Sequence, residues 1–498
     1  MKTFDWLFVL GLAAATAAGW IFLASSNHWL VVAVAGVLTV AWHLWRVRQA
    51  RETVIELGGL AWNRHAFCQG WLITGATGSG KTLSGIHHVL HQLFKRRHRF
   101  GMLCIDDKGV LHESLVDMAR HFGRASDTIL IQVRRPDARP DWKPVHRFNL
   151  IGDRSIPAAT YARCVVDTAV AMGNRQEQTF FRRAAQILIG QGISALIALR
   201  YEVTLENVHN LLTDSKELKR VIGELCASPA TAELGRQLQE FTEQPHEQRG
   251  GIIGTVANYL HYFTTPEIAE VFCRDSTFCL DELDQGALLC LSLPQRLQTE
   301  RRYLGTFLKQ LFHLHVLHRF DRPKQERDKF NLLVLLADEA QHFVTASEDG
   351  LSDHSLVDVI RESGTAFIAA TQSTTSLIPP MGAEQAKVFT LNLRNRLIFT
   401  AADEDDARAS AEFLGKKTVY QRSWTQSEGK RSQTYSEAET YRVKPHELRK
   451  LRKHQCLVVH SDKGYRKRVL PPLEPDGSVS PWFNKISRFF KQVWPGTK

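Results

Sequence analysis

One short stretch decides the fold of this chain: Gly75-Ala76-Thr77-Gly78-Ser79-Gly80-Lys81-Thr82. It satisfies every fixed position of the phosphate-binding pattern GxxxxGK[ST]. Before it, Trp71–Thr74 predicts a buried strand, and after it, Leu83–Phe94 predicts a helix. In that context the loop amides bind phosphate, Lys81 neutralises the β and γ oxygens, and Thr82 holds Mg²⁺. The stretch therefore predicts an ATP site, and a chance match in an ordinary glycine-rich turn is the competing interpretation.

A second apolar run, far along the chain, is predicted to complete this site. The stretch Asn331–Ala337 indicates a central parallel strand covered on both faces, and it ends in Asp338-Glu339. Two adjacent acids at the end of a buried strand are costly unless a cation lies beside them. We therefore expect Asp338 to hold the Mg²⁺ shell and Glu339 to polarise the attacking water. An acidic turn without a catalytic role is the alternative.

Two further residues are candidates for catalysis. The strand predicted over Ala366–Thr371 is followed by Gln372, at the place expected for a sensor of the γ-phosphate. Arg361 ends a helix predicted over Ser355–Glu362, from which it is a candidate finger for a neighbouring subunit's phosphate. A solvated arginine that pairs with a nearby acid is the competing interpretation. Two other arginines are rival fingers, Arg394 and Arg396.

The beginning of the chain is strongly apolar. Trp6–Ala24 and Trp29–Trp45 are runs of the length, roughly 17–20 residues, that spans about 25–30 Å of hydrocarbon. Arg46, Arg48 and Arg51 follow, and positive residues favour the cytoplasmic side. These runs predict a two-helix membrane hairpin with the rest of the chain in the cytoplasm. A cleaved signal peptide is the alternative for the first run, and the second run disfavours it.

Composition agrees with a folded protein, and its basic balance favours an anionic partner, although such a balance is also common in inner-membrane proteins with cytoplasmic loops. The 498 residues are 44% hydrophobic and 23% charged, which argues against disorder. An excess of 63 Lys and Arg over 52 Asp and Glu gives a net charge of +11, which favours nucleic acid or anionic lipid. The eight cysteines form no CxxC pair, so the sequence predicts neither a zinc ribbon nor a redox motif.

A long helical stretch separates the early strands from Asp338. Five segments show helical periodicity: Ala158–Gly173, Gln178–Tyr201, Leu205–Leu212, Glu217–Ala227 and Gly251–Phe263. The apolar run Ala184–Leu199 is short for a membrane span and is interrupted by glutamines, which favours a core helix. Histidines cluster at positions 87, 88 and 91 and at 313, 315 and 318, but no nearby acid or cysteine completes a metal site.

Several basic segments are candidates for contact with a polyanion, although most charge runs are solvated faces. They are Lys95–Arg99, Lys430-Arg431, Arg449–Lys453 and Arg466–Arg468. In a ring-shaped motor some of these segments would face DNA phosphates, which would make binding salt-sensitive. Past Pro481 the sequence mixes Phe, Trp and Ile with Lys and Arg as far as Trp494. This tail has the composition of a membrane-surface helix or of a partner-binding segment.

The chain as a whole resembles one family, the TraG/TraD-like coupling ATPases of conjugation and type IV secretion. The order of the motifs carries the resemblance more than any single motif does. Besides the membrane hairpin and GATGSGKT, it rests on Cys104–Gly109, Leu336–Gln341, Arg361 with Gly364, Thr371–Ser373, and Leu391–Phe399 with Asp403, Asp406 and Ala407. Two departures are the lack of a periplasmic domain between the apolar runs and Val110 after Gly109, where an acid is usual.

The resemblance implies a RecA-like P-loop ATPase core, with a mainly parallel sheet and a large all-α insertion, that assembles as a hexamer. It implies an anchor in the bacterial inner membrane, ATP and Mg²⁺ as cofactors, and delivery of relaxase-bound single-stranded DNA or protein effectors to a secretion channel. The roles given above to Lys81, Thr82, Asp338, Glu339, Gln372 and Arg361 match those the family implies.

The predicted domain organisation has five parts: residues 1–50 form the membrane hairpin, 51–155 the first part of the nucleotide-binding domain, 156–275 the all-α insertion, 276–475 the second part of the nucleotide-binding domain, and 476–498 the basic aromatic tail. Two other functions fit the nucleotide motifs. One is a double-stranded DNA translocase of the FtsK/HerA type, and the other is a non-motor ATP-binding scaffold of a secretion or defence assembly.

Overall fold

The computed structural model describes residues 52–96, 99–173, 178–327, 329–347, 350–427 and 430–483, together with Gly36, Leu38 and Thr39. By its contacts the chain divides into two units, Met1–Val54 and Ile55–Lys498. The predicted membrane hairpin falls almost wholly outside the described residues. Among the residues that are described, no helix has the length and apolar character needed to cross a bilayer.

A nine-stranded, mainly parallel sheet is the centre of the second unit. Its strands are β3 (Trp71–Thr74), β4 (Phe100–Asp106), β5 (Thr128–Gln132), β6 (Leu288–Ser292), β7 (Leu332–Asp338), β8 (Thr365–Thr371), β9 (Asn395–Ile398), β12 (Gln455–His460) and β13 (Gly464–Val469). They lie in the order β13-β12-β9-β3-β8-β7-β4-β6-β5. From β9 to β5 all neighbours are parallel, whereas β12 is antiparallel to both β9 and β13.

The central strands are buried along their whole length, as their continuous apolar sequences predict. Every residue of β4, β7 and β8 is buried, because helices cover both faces of a parallel sheet. Strand β3 is observed at the predicted residues, and β7 begins and ends one residue later than predicted, so that Asp338 is its last residue.

Helices connect the strands of the sheet and cover its two faces. Those outside the insertion are α1 (Arg64–Phe67), α2 (His87–Lys95), α3 (Leu111–His121), α11 (Gln298–His318), α12 (Lys324–Arg327), α13 (Asp353–Ile360), α14 (Ile378–Met381), α15 (Ala383–Asn392), α16 (Glu404–Leu414) and α17 (Pro445–Arg449). The P-loop leads first into a π-helical segment, Lys81–Ile86, which continues as α2. The predicted helix over Ser355–Glu362 is observed as α13, which starts and ends two residues earlier.

The predicted helical insertion lies between β5 and β6. It contains α4 (Ala158–Ala171), α5 (Thr179–Ala198), α6 (Leu205–Thr213), α7 (Ser215–Cys226), α8 (Ala232–Glu243), α9 (His246–Leu260) and α10 (Pro266–Phe272). Its buried side chains, such as Ile193, belong to the same apolar core as Leu103 of β4. The sequence patterns did not predict the short α10 or α8, in which only Gly235, Leu238 and Phe241 are buried and most other residues are polar.

Two small two-stranded sheets stand apart from the central sheet: β1 (Thr53–Leu57) with β2 (Leu60–Asn63), and β10 (Lys416–Ser427) with β11 (Lys430–Tyr441). Strands β10 and β11 form an antiparallel ribbon that pairs from Lys416 with Tyr441 to Ser427 with Lys430. A second, smaller apolar core joins β9, α16 and β12, and includes Ile398, Ala411 and Leu457.

Candidate nucleotide site

The carboxyl ends of four neighbouring strands place the predicted site residues at one edge of the sheet. The P-loop leaves β3, and in the register of the sheet Thr74 lies beside Thr371 of β8. On the next strands, Asp338 at the end of β7 lies beside Asp106 at the end of β4. Gln372 directly follows β8. The sheet therefore brings the P-loop, the acid pair and the predicted sensor together, although they are distant in sequence.

The backbone of the P-loop is held by residues from the second half of the chain. The amide of Ala76 donates a hydrogen bond of 2.7 Å to the carbonyl of Thr400, which follows β9. Gly80 has a φ of 109°, and a Cβ there would lie only 2.7 Å from Nδ1 of His454. Glycine is therefore required at position 80 for both its conformation and its space.

Lys81 is buried and turned back onto its own loop. Its Nζ donates hydrogen bonds to the carbonyl oxygens of Gly75, at 2.5 Å, and Ala76, at 3.5 Å. Burial lowers the pKa of this ammonium group, and the nearby carboxylates of Glu339 and Asp338 oppose that effect. Thr82 follows it, half-buried, in the first turn of the π-helical segment. The loop thus holds its lysine near both acids.

Asp338 carries the chemistry of a cation ligand. Burial, the Asp106 carboxylate and the Glu339 carboxylate together raise its pKa to about 7. A carboxylate in such surroundings ionises more readily when a cation compensates its charge. These surroundings suit a cation, and the Asp338 carboxylate and the Thr82 hydroxyl are the groups that would hold Mg²⁺. The buried Oγ of Ser79 in the P-loop also has no hydrogen-bond partner among the described residues, which suits a phosphate ligand.

Glu339 is held in an unusual position directly after β7. Its backbone is left-handed, with a φ of 52°, a conformation that glutamate rarely adopts. Its carboxylate accepts a hydrogen bond of 2.9 Å from Nε2 of Gln341, whose Oε1 in turn accepts one of 2.8 Å from Thr371. Burial would raise the pKa of Glu339, but Gln341 and Lys108 outweigh it and lower the pKa. The side chain is therefore ionised, as a proton acceptor must be.

Gln372 contacts the P-loop directly. Its Oε1 accepts a hydrogen bond of 3.3 Å from the hydroxyl of Thr77. Gln372 is itself exposed, whereas Thr371 before it is fully buried. The side chain that was predicted to sense phosphate thus lies at the phosphate-binding loop.

Lys108 is a site residue that the sequence motifs did not single out. Its Nζ lies 2.9 Å from Oε1 of Glu339, an ion pair in which the lysine is half-exposed and the glutamate is buried. Lys108 belongs to the segment Cys104–Gly109, which is one of the segments that carry the family resemblance. The spacing of residues in that segment does not indicate which residue Lys108 contacts. Only the adjacency of β4 and β7 brings the two side chains together.

The three candidate arginine fingers differ in their surroundings. Arg361 is exposed directly after α13, and within the described residues no hydrogen bond or ion pair joins it to the P-loop. Arg394 is also exposed and lies 3.8 Å from Asp462. Arg396 is buried: it donates a hydrogen bond of 2.6 Å to the carbonyl of Thr390 and lies over the ring of Phe413. Burial lowers the pKa of Arg396 to about 9. Of the three candidates, only Arg361 and Arg394 are therefore exposed.

A fully buried ionic cluster fixes the start of the helix that precedes Arg361. Asp353, the first residue of α13, forms an ion pair with Lys309 and lies 3.0 Å from Nε2 of His313, both on α11. It also accepts a 2.7 Å hydrogen bond from the amide of Thr345, in the loop that follows Glu339. Burial would raise the pKa of Asp353, but Lys309 and His313 hold it well below its usual range. The cluster thus joins α11, α13 and the loop after the acid pair.

The C-terminal strap, which we define as Leu470–Phe483, lies over the helical segment that follows the P-loop. The carbonyls of Leu473 and Pro471 contact His87 and His88 at 2.7 and 2.6 Å. Nδ1 of His454 lies 2.7 Å from Oγ of Ser84, and the rings of Trp482 and Phe483 pack against His454. Among the described residues no group of histidine, cysteine or acid side chains has the arrangement of a metal site. The histidines at positions 87 and 88 instead bind backbone carbonyls.

The family to which the chain belongs is shown by a match along most of its length. The model of the family described as "Type IV secretory system Conjugative DNA transfer" matches residues 43–464. The chain is a member of this conjugative coupling family, and the resemblance inferred from its motifs is confirmed. A search of curated proteins gave no match.

Solved structures of the coupling protein TrwB share the fold. An unbound TrwB lacking its N-terminal segment aligns with a TM-score of 0.63 at 15% identity, covering 86% of this chain and 90% of TrwB. TrwB in complex with ADP and Mg²⁺ aligns with a TM-score of 0.61 at 16% identity, covering 86% and 92% of the two chains. A TrwB complex with the non-hydrolysable ATP analogue ADPNP gives 0.61 at 17% identity, covering 84% and 88%. The α/β sheet with its helical insertion is therefore the fold of TrwB.

Proposed function

We propose that this chain is a membrane-anchored, ATP-driven translocase that delivers relaxase-bound single-stranded DNA, or protein effectors, to a type IV secretion channel. The observation that carries the proposal is the convergence of Lys81, Asp338, Glu339 and Gln372 at one edge of the sheet in a member of the conjugative DNA transfer family. A structural role alone would not require two buried acids beside a buried lysine.

The residues divide the chemistry of ATP hydrolysis among them. Residues Gly75–Thr82 bind the phosphates through backbone amides and Lys81, while Thr82 and Asp338 hold Mg²⁺. When bound, the metal ion neutralises charge on the phosphate oxygens. Glu339 accepts a proton from the attacking water as the bond between the γ-phosphorus and the leaving ADP oxygen breaks. Gln372 connects the state of the γ-phosphate to the P-loop through Thr77.

The assembly we propose is a ring of six copies with a RecA-like core, in which Arg361 of one subunit reaches the phosphates of the next. The domain boundaries given by the sequence, at residues 50, 155, 275 and 475, belong to this proposal. So does an anchor of two inner-membrane helices within residues 1–50, which keeps the motor on the cytoplasmic side. The surface exposure of Arg361 supports its part in the proposal.

The experiment that tests the proposal is steady-state hydrolysis of ATP by the full chain in detergent, with and without single-stranded DNA. We expect Mg²⁺-dependent hydrolysis that DNA stimulates, and stimulation that weakens as salt rises, because DNA contacts release counterions. Lys81→Ala is the control. If this variant hydrolyses ATP as fast as the parent protein, the measured activity does not come from this site and the proposal fails.

The same assay separates the two alternative functions. Stronger stimulation by duplex than by single-stranded DNA would indicate a translocase of the FtsK/HerA type. If Lys81→Ala protein assembles and supports DNA transfer between cells as well as the parent protein does, the chain is a scaffold whose ATP binding orders a complex. Loss of both hydrolysis and transfer in this variant is the result that supports the translocase.

A further inference from the structure

The ion pair between Lys108 and Glu339 brings a cation onto the residue that we propose as the proton acceptor. Nζ of Lys108 lies 2.9 Å from Oε1, and Gln341 occupies Oε2. One oxygen of the carboxylate therefore lies in an ion pair and the other in a hydrogen bond, both with residues of this chain. A proton acceptor whose carboxylate is held by two neighbours points toward those partners and not toward an attacking water.

Lys108 lies on a loop that is firmly anchored at its amino end. Asp106 accepts hydrogen bonds from the amides of Lys108, Val110 and Leu111, at 2.9, 2.7 and 2.8 Å. These bonds fix the backbone from the end of β4 to the first turn of α3. The long side chain of Lys108, which is about half exposed, remains able to move.

The other side of this loop is held by the segment Gln295–Arg302, which includes the turn after β6 and the first residues of α11. Gln295 donates a hydrogen bond to the carbonyl of Lys108, and Arg301 donates one to the carbonyl of Asp107. Arg302 binds the Asp107 carboxylate through Nε, at 2.5 Å, and Nη2, at 3.0 Å. In the same segment, Arg296 pairs with Glu267 of α10, the last helix of the insertion, at 3.4 Å. A continuous series of contacts thus runs from the insertion to Glu339.

We propose that Lys108 is a positioning residue that restrains Glu339 and releases it when the segment Gln295–Arg302 shifts. This inference rests on the proposed function, since it assigns regulation to the same site. While Lys108 is paired, the carboxylate stays with Lys108 and Gln341 and hydrolysis is slow. Movement of the helical insertion, passed on through Gln295, Arg301 and Arg302, withdraws Lys108 and frees Glu339 to accept the proton of the attacking water.

The test compares the basal hydrolysis of ATP, without DNA, by Lys108→Met, Lys108→Arg and the parent protein. We expect Lys108→Met to raise kcat about fivefold, the rate equivalent of ~1 kcal/mol for a partly exposed ion pair, with little change in KM. Lys108→Arg keeps the cation and should retain the parent rate. Lys219→Met, at an exposed lysine on α7, is the matched control and should change neither constant.

A second variant tests the connection to the insertion. Gln295→Ala removes the side chain that binds the Lys108 carbonyl while leaving the Lys108–Glu339 pair in place, and it should raise basal kcat by about twofold, less than Lys108→Met does. A melting temperature close to that of the parent protein shows that each variant is folded.

The outcomes separate this inference from the proposed function. Hydrolysis by the parent protein and its loss in Glu339→Gln establish the function, independently of Lys108. With those in hand, a basal kcat of Lys108→Met equal to or below the parent value overturns the inference. A fall in the kcat of Lys108→Met together with a rise in its KM would also overturn the inference. Lys108 would then be a ligand of the phosphates rather than a restraint on Glu339.

Discussion

The hydroxyl of Thr77 donates a hydrogen bond of 3.3 Å to Oε1 of Gln372, which joins the P-loop to a residue 295 positions later in the chain. Thr77 belongs to the loop that binds phosphate, and Gln372 directly follows a strand that is buried along its length. In the proposed function, a change at the phosphates passes through this contact to β8, which lies between β3 and β7.

Gln372→Ala is expected to lower kcat for ATP about 10- to 100-fold with little change in KM, because the amide acts on charge that develops during hydrolysis rather than on ground-state binding. Steady-state kinetics measure both constants. Gln239→Ala, at an exposed glutamine of α8, is the matched control. An unchanged kcat with a raised KM would instead assign Gln372 to nucleotide binding.

The raised pKa of Asp338 predicts how Mg²⁺ and pH act on stability. The pKa of Asp338 is about 7 in the folded protein, above its value of 3.8 in the unfolded chain. The metal-free protein therefore loses stability as the pH rises from about 4 to about 7, and it loses no further stability above pH 7. Mg²⁺ with ADP binds the protein in which Asp338 is ionised. The stabilisation by Mg²⁺ and ADP should therefore grow as the pH rises through the upper part of that range. Thermal unfolding between about pH 5.5 and 8, with and without Mg²⁺ and ADP, measures this.

Asp338→Asn is the control for that pH dependence, because the amide does not titrate. We expect the variant to lose the increase in Mg²⁺-dependent stabilisation with pH. If parent and variant show the same dependence on pH, another group is responsible and Asp338 is not the metal ligand.

Mixed assemblies can show whether Arg361 acts on a neighbouring subunit. Arg361→Ala and Lys81→Ala should each reduce hydrolysis strongly, by about 10³-fold for a finger. A mixture of the two variants should recover part of the activity. The intact P-loop of an Arg361→Ala subunit can then lie beside the intact Arg361 of a Lys81→Ala subunit. Hydrolysis rates of the separate and mixed proteins at equal total concentration measure the recovery.

Arg394→Ala mixed with Lys81→Ala is the parallel experiment for the rival finger. Arg394→Ala by itself should hydrolyse ATP at the parent rate, because Arg394 pairs with Asp462 of its own chain. Recovery with Arg394→Ala but not with Arg361→Ala would reverse the assignment of the finger.

The buried cluster at Asp353 predicts a large effect on stability. Lys309→Met leaves the Asp353 carboxylate buried without its main cation, and removal of one partner from a buried pair costs about 3–5 kcal/mol. Thermal or urea unfolding measures the loss. Lys324→Met, at an exposed lysine of α12, should have almost no effect. A loss below about 1 kcal/mol would show that the pair contributes as little as a surface pair does.

The sequence predicted the parts of the site that depend on local pattern. The P-loop, its flanking strand and the acid pair after β7 could be recognised because apolar runs and glycine spacing are properties of neighbouring residues. Helix ends differed from prediction by a few residues, and α8 was missed because its apolar face is narrow.

The contacts that cross the fold could not be predicted in this way. Lys108 meets Glu339 only because β4 pairs with β7, and His454 reaches the P-loop only because β12 adds to the far side of β9. The burial of Arg396 under Phe413 likewise depends on the position of α16 and not on the segment Leu391–Phe399. Such pairings are set by the order of the strands, which no local spacing reveals.

The C-terminal strap has a practical consequence for any shortened version of this protein. A fragment that stops at the last strand of the sheet would look complete, yet it would lack Pro471, Leu473 and the two aromatic rings that cover His454. The histidines behind the phosphate loop would lose their carbonyl partners, and kinetic constants from such a fragment would describe an altered catalyst. Expression boundaries should therefore lie beyond Phe483.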